Sequence, residues 1–139
     1  VFMQGVARTS FFINPNDISP FVNERNALNV IADNHWSINN PDPNAFWPRL
    51  STYSIANNEQ QSTWWQRDGD FMRLKNVEIG YTFPDKETGL FSGLNTRIYF
   101  TGLNLLTFSK FDLWDTEMGG NGLGYPPQKV YNIGLQVNF

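Results

Sequence analysis

The chain of 139 residues contains no cysteine and a single histidine, His35. Disulfides, thiolate metal sites and cysteine nucleophiles are thereby excluded, and a histidine-based triad or zinc site within the chain would need unlike ligands. Charge is also scarce, at 17% of residues against a usual quarter or so. Lys and Arg number 10 against 13 Asp and Glu, for a formal charge of −3. That leaves no basic field to hold a phosphate backbone, so nucleic acid is not an expected partner. No stretch approaches the roughly 18 to 20 apolar residues of a membrane helix, and mean hydropathy is −0.41. Neither fact argues against a membrane location, because barrel strands alternate lipid-facing apolar residues with lumen-facing polar ones and average out. The chain opens at Val1 within a strand-like stretch, with neither Met nor a signal segment, and reads as a piece of a longer protein.

What the chain has instead is aromatic residues, 16% of the total with Phe 12, Trp 5 and Tyr 5, and long alternating segments. The last ten residues put Tyr131, Ile133, Leu135, Val137 and Phe139 on one face and Asn132, Gly134, Gln136 and Asn138 on the other. A period of two belongs to a strand between two different environments; a helix would scatter these residues. A second strand, about 72–84, sets Val77, Ile79, Tyr81 and Phe83 against Asn76, Glu78, Gly80 and Thr82, and Pro84 ends it for want of an amide donor. In a third, about 95–106, Arg97 decides the faces: if it points to the polar side, Tyr99 and Thr101 go with it, and Ile98 and Phe100 point away. The opening residues, about 2–12, read as a fourth strand whose alternation is blurred by Gly5 and Ala7. Within the segment 13–70, Ser19 before Pro20 predicts a helix N-terminus, with Phe21, Leu28 and Ile31 at helical spacing and an end before Asn39-Asn40-Pro41-Asp42-Pro43.

The connections alternate long (13–70), short (85–94) and long (107–129). Outer-membrane barrels combine antiparallel strands of roughly 9 to 11 residues, short periplasmic turns, long outer loops and aromatic girdles. The expected fold is therefore all-β: an antiparallel meander of about four strands from a large transmembrane barrel, with extracellular loops, one short loop helix and the C-terminus on the periplasmic side. Counted by parity, Arg73 and Lys75 share the apolar face and stand at the outer rim, where lipopolysaccharide phosphates would attract them.

Asp68-Gly69-Asp70-Phe71-Met72-Arg73-Leu74-Lys75-Asn76-Val77-Glu78-Ile79-Gly80-Tyr81-Thr82-Phe83-Pro84 resembles the C-terminal block of the SusC/RagA family of TonB-dependent outer-membrane receptors from Bacteroidetes. Arg97-Ile98-Tyr99 with Gly102 to Phe108 resembles the next block, Tyr125-Pro126-Pro127 with Gly134 to Phe139 the terminal strand, and Pro48-Arg49-Leu50-Ser51 a short motif upstream. Asp70 stands where the family usually has Ser, and Thr116 where Pro is common. The resemblance implies the last part of a barrel of about twenty-two strands. It also implies import of a bulky oligosaccharide or peptide, a SusD-like lipoprotein partner outside, and TonB acting through the plug of the parent protein. It implies no covalent chemistry and no cofactor.

Candidate site residues follow from these placements. Trp36, Trp47, Trp64 and Trp65 fall in the first long loop and Trp114 in the second; exposed indole faces suit a sugar ring, and the alternative is that they pack the loops or meet the partner. Glu78 and Arg97 lie on the polar faces of neighbouring strands and would pair toward the lumen or the plug. Phe139, a terminal aromatic, is the expected barrel-assembly signal. Asp68, Asp70, Asp112, Asp115 and Glu117 give no pair at a defined spacing across a scissile bond. Neither Asn14-Pro15-Asn16-Asp17 nor the segment 39–44 completes a calcium loop. The run Gly119-Gly120-Asn121-Gly122-Leu123-Gly124 lacks the Lys-Ser/Thr of a phosphate loop and reads as a flexible loop tip.

Two other readings fit some of these features. A soluble β-sandwich carbohydrate-binding module would also show short strands, loop tryptophans and few charges, and it requires a second sheet over Ile133, Leu135 and Val137. A secreted glycan-degrading enzyme requires convergent carboxylates in a pocket.

Overall fold

The alternating segments assemble into one antiparallel sheet. In a computed structural model describing residues 1–21, 24–84 and 95–138, strands β1 (Phe2–Val6), β4 (Phe71–Thr82), β5 (Asn95–Ser109) and β6 (Val130–Asn138) lie in the order β1-β4-β5-β6. A second, two-stranded sheet pairs β2 (Ser10–Phe12) with β3 (Gln66–Asp68). The chain divides into a sheet unit (Val1–Thr9, Gly69–Thr116, Pro126–Phe139) and a loop unit (Ser10–Asp68, Glu117–Tyr125). The expected turn at 85–94 and the terminal Phe139 lie outside the described residues.

Residues directly opposite on paired strands share a face, so the register sorts the sheet unit into rows. Tyr81, Ile98 and Leu135 form one row across β4, β5 and β6, and Ile79, Phe100 and Ile133 form the next. On the reverse face the rows are Thr82, Arg97 and Gln136, then Gly80, Tyr99 and Gly134, then Glu78, Thr101 and Asn132. The apolar rows are uncovered: Ile133 is 80% exposed and Leu135 66%. A β-sandwich would bury them beneath a second sheet, so the binding-module architecture is not this fold.

Between Leu74 and Asn76 the β4–β5 register shifts, Asn76 facing Leu103 and Leu74 facing Leu106. Asn104 occupies the left-handed region at φ +52 within that irregularity, a conformation asparagine tolerates better than most residues. The β1–β4 register shifts at the same place, between Phe2 and Met3. Parity counted from Ile79 therefore does not carry across to Arg73, and the expectation that Arg73 and Lys75 share the exposed apolar face is corrected. Arg73 is flanked by Gln4 and Thr107, whereas the exposed apolar residues at that end, Met72 and Phe108, form a separate row with Gly5. Arg73 is 1% exposed, and the Lys75 ammonium donates to Gln4 Oε1.

The opening segment is two strands rather than one. The chain turns at Arg8, φ +61, and enters the small β2–β3 sheet. The expected helix begin at Ser19-Pro20 is also corrected. Asn14 caps α1 (Pro15–Ile18) by accepting from Asn16 N at 3.2 Å, with Pro15 at the first position, and Ser19 is the C-cap, its hydroxyl donating to Pro15 O at 2.6 Å. Both Asn14-Pro15 and Ser19-Pro20 carry the start signal, and proline one position after a C-cap is equally at home. Ile31 is buried on a separate helix, α2 (Asn29–Asp33), which ends before the Asn-Pro run as expected.

Candidate functional site

In the sheet unit, Arg97 Nη2 donates to Glu78 Oε1 at 2.5 Å, uniting the two residues expected to pair on the polar face. The link reaches across Gly80: a Cβ there would stand 2.9 Å from Arg97 Nε. The Arg97 guanidinium lies 5.6 Å from the Tyr99 ring centre, and that ring extends the other way over Gly134, where a Cβ would meet Cζ at 2.2 Å. Two glycines, on the strands either side of β5, thus make room for one charged and one aromatic side chain of β5 lying along the polar face. Glu78 and Arg97 are about half exposed, so solvent screens the pair and its contribution to stability is about 0–1 kcal/mol.

Arg73 makes a different kind of contact. Its Nη2 lies 2.5 and 2.6 Å from the two carboxylate oxygens of Asp115, fastening β4 to the second long connection. In the same unit, Phe111 is buried and packs edge-on against Trp114 at 4.9 Å. Asp70 accepts from Thr9 N at 2.9 Å. Two of the carboxylates considered for acid-base chemistry are therefore structural acceptors, and no group of three His, Asp or Glu converges as a metal site among the described residues.

The loop unit separates its tryptophans. Trp47 and Trp65 are buried with Ile13, Ile31 and Ala45 and meet at 5.6 Å between ring centres. Trp65 Nε1 donates to Asn58 O at 2.9 Å, whereas Trp47 Nε1 is buried without a hydrogen-bond partner among the described residues. Arg67 binds this core from its edge: the guanidinium sits 4.1 Å over the Phe46 ring and donates to Trp64 O and Gln66 O. Burial pushes its pKa below the ordinary arginine value, from so high a starting point that it remains a cation at neutral pH. The glycine run is part of this packing. A Cβ at Gly120 would collide with Phe12 O at 1.9 Å, and Asn14 N donates to Gly120 O at 3.1 Å, so the expected loop tip is a close backbone contact instead.

Trp36 and Trp64 have a different setting. With Pro48, Arg49, Asn57, Asn58, Ser62 and an edge of Trp65 they line a cleft of about 470 Å³, within the usual range of roughly 300–1,000 Å³ for small-molecule sites. Trp36 and Arg49 also line a second concavity of about 340 Å³ with His35, Ser37, Ile38, Asn39 and Leu50. The strands bring Glu78 to Arg97, and the loop fold brings Trp36 to Trp64; Trp65 lines the same cleft and packs against the buried Trp47, and Trp114 belongs to the sheet unit. Arg49 was not singled out as a site residue from the sequence. Its flanking Pro48 and its place between the tryptophans of the loop were the available signals.

An antiparallel sheet with one uncovered apolar face and one polar, internally braced face is a segment of transmembrane β-barrel wall. No family model matches the chain, but individual relatives do. TonB-dependent receptor P26 of Formosa agariphila is 33% identical over 122 residues, covering 78% of this chain and 12% of the relative. TonB-dependent receptor P3 of the same organism is 30% identical over 130 residues, covering 81% of this chain and 12% of the relative. Among solved structures, a chain of the RagAB peptide transporter superposes with TM-score 0.68 at 24% identity, over 99% of this chain and 15% of that one. The RagAB peptide importer in its open-open state gives TM-score 0.67 over the same shares. The chain belongs to the TonB-dependent outer-membrane receptors, its fold and its motifs resembling the SusC/RagA branch, and it spans about an eighth of the length of the curated relatives it matches.

Proposed function

We propose that this chain supplies barrel wall and extracellular loops to a receptor that imports a bulky nutrient, an oligosaccharide or peptide, through the outer membrane. The observation that carries this reading is the two-faced register of β4, β5 and β6, with exposed apolar rows on one face and polar rows on the other; on this reading the first face meets lipid and the second the barrel interior. A SusD-like lipoprotein caps the barrel outside, and TonB acts through the plug of the parent protein. On this reading the loop unit is extracellular, β6 descends to the periplasm, and Glu78 with Arg97 faces the lumen or the plug. Phe139 serves as the assembly signal, so deleting it slows insertion; unimpaired surface display of the deletion would refute that role. Lipopolysaccharide meets the outer rim of the barrel without help from Arg73, which is committed to Asp115.

The test is uptake of a fluorescent oligosaccharide or peptide by cells that express the complete receptor. Import is expected to require both the receptor and TonB, and the receptor is expected to copurify in detergent with a lipoprotein. Uptake that persists when the receptor is deleted would contradict the proposal.

A further inference from the structure

The loop unit is acidic. Its sequence contains Asp17, Glu24, Asp33, Asp42, Glu59, Asp68 and Glu117 against Arg25, Arg49 and Arg67. None of those carboxylates lines the two concavities that meet at Trp36, and Arg49 lines both. The other two arginines are used internally: Arg25 donates to Asn16 O and Asp17 O, and Arg67 to Trp64 O and Gln66 O. Arg49 is exposed and, among the described residues, its guanidinium makes no hydrogen bond or ion pair. The neighbouring acid, Glu59, accepts instead from the Ser54 hydroxyl at 2.7 Å. An acidic unit that keeps its carboxylates out of one cleft and leaves a fork of donors there presents a local positive site between two aromatic walls.

We propose that this cleft binds an acidic sugar residue of a glycan, with Arg49 taking the carboxylate and Trp36 and Trp64 flanking the ring. The inference rests on the importer reading above and adds a ligand class to it. A guanidinium matches a carboxylate with two parallel N–H···O bonds. Indole faces offer apolar area to the C–H side of a pyranose, and Asn57, Asn58 and Ser62 supply amide and hydroxyl groups for its hydroxyls. A peptide is the less favoured occupant, because no residue of β1 to β6 lines either concavity and an extended chain would find no strand edge to extend.

The experiment uses the complete receptor in detergent with whatever lipoprotein copurifies. Calorimetry compares an oligogalacturonate with the same oligosaccharide after carboxyl reduction, on the parent protein, Arg49→Gln and Trp64→Ala. The parent is expected to prefer the acidic form by about ten- to a hundredfold, the range of a hydrogen bond to a charged group. Arg49→Gln is expected to erase that preference while still binding the neutral form, and Trp64→Ala to weaken both forms alike. Equal binding of the two forms by the parent, an unchanged preference in Arg49→Gln, or binding of acidic peptides in place of either glycan would each overturn the assignment. Uptake measured in parallel separates the two levels: a receptor that imports nutrient without this preference loses the ligand class alone, and one that imports nothing loses both.

Discussion

Tyr99 lies across Gly134, its ring filling the space in which any side chain at 134 would stand. The polar face of the sheet is therefore fitted at this point, with glycine on β6 receiving an aromatic from β5. Gly134→Val forces the ring out of place and costs about 1–3 kcal/mol, the usual range for an overpacked site. Thermal unfolding of the complete receptor, followed by its mobility shift on semi-native gels, should show a lowered midpoint. Tyr99→Ala combined with Gly134→Val should recover part of the loss, and a midpoint unaffected by Gly134→Val would contradict the contact.

The Arg73–Asp115 link is expected to be far more consequential than Glu78–Arg97. Arg73 is buried and Asp115 nearly so, whereas the second pair is about half exposed. Asp115→Ala leaves a buried guanidinium without this carboxylate, a loss of about 3–5 kcal/mol, while Glu78→Gln changes stability by about 0–1 kcal/mol. Arg73→Met with Asp115→Ala should be milder than Asp115→Ala alone. Equal effects of Asp115→Ala and Glu78→Gln in the same gel assay would show that burial does not separate the two pairs.

The four loop-unit tryptophans should divide by experiment as they do by burial. Trp47→Ala removes a core aromatic at about 3–5 kcal/mol and should expose the loop to added protease on intact cells. Trp47→Phe should be much milder, since it also removes the buried indole N–H that lacks a partner among the described residues. Trp36→Ala should leave the protease pattern intact, because its side chain lines the cleft rather than the core. Protease sensitivity in Trp36→Ala matching that of Trp47→Ala would overturn the division.

The sequence made β6 legible because its alternation runs unbroken, and Ile133, Leu135 and Val137 fall on the exposed apolar face as the pattern predicts. Parity failed at Arg73 for a reason that a sequence hides. The register shifts near residues 74–76 depend on how neighbouring strands pair, and β4 read alone gives no sign of them. The helix start failed because Asn14-Pro15 and Ser19-Pro20 carry the same local signal; the chain uses the first, and Phe21 at φ +63 is not helical. The tryptophans were found but not sorted, since depth in a loop core is set by contacts between residues distant in sequence, such as Trp47 with Trp65. Arg49 was missed as a site residue because nothing in the sequence reveals that its neighbours use their charges elsewhere.

The central claim is that the apolar rows of the sheet face lipid and the polar rows face the barrel interior. Single cysteines can be introduced along β6 in a complete receptor cleared of any other cysteine, since this chain itself has none, then spin-labelled in a bilayer and probed with oxygen against a water-soluble nickel chelate. Labels at residues 133, 135 and 137 are predicted to favour oxygen, and labels at 132 and 136 the chelate, alternating residue by residue. A uniform profile along β6, or the opposite phase, would contradict the account.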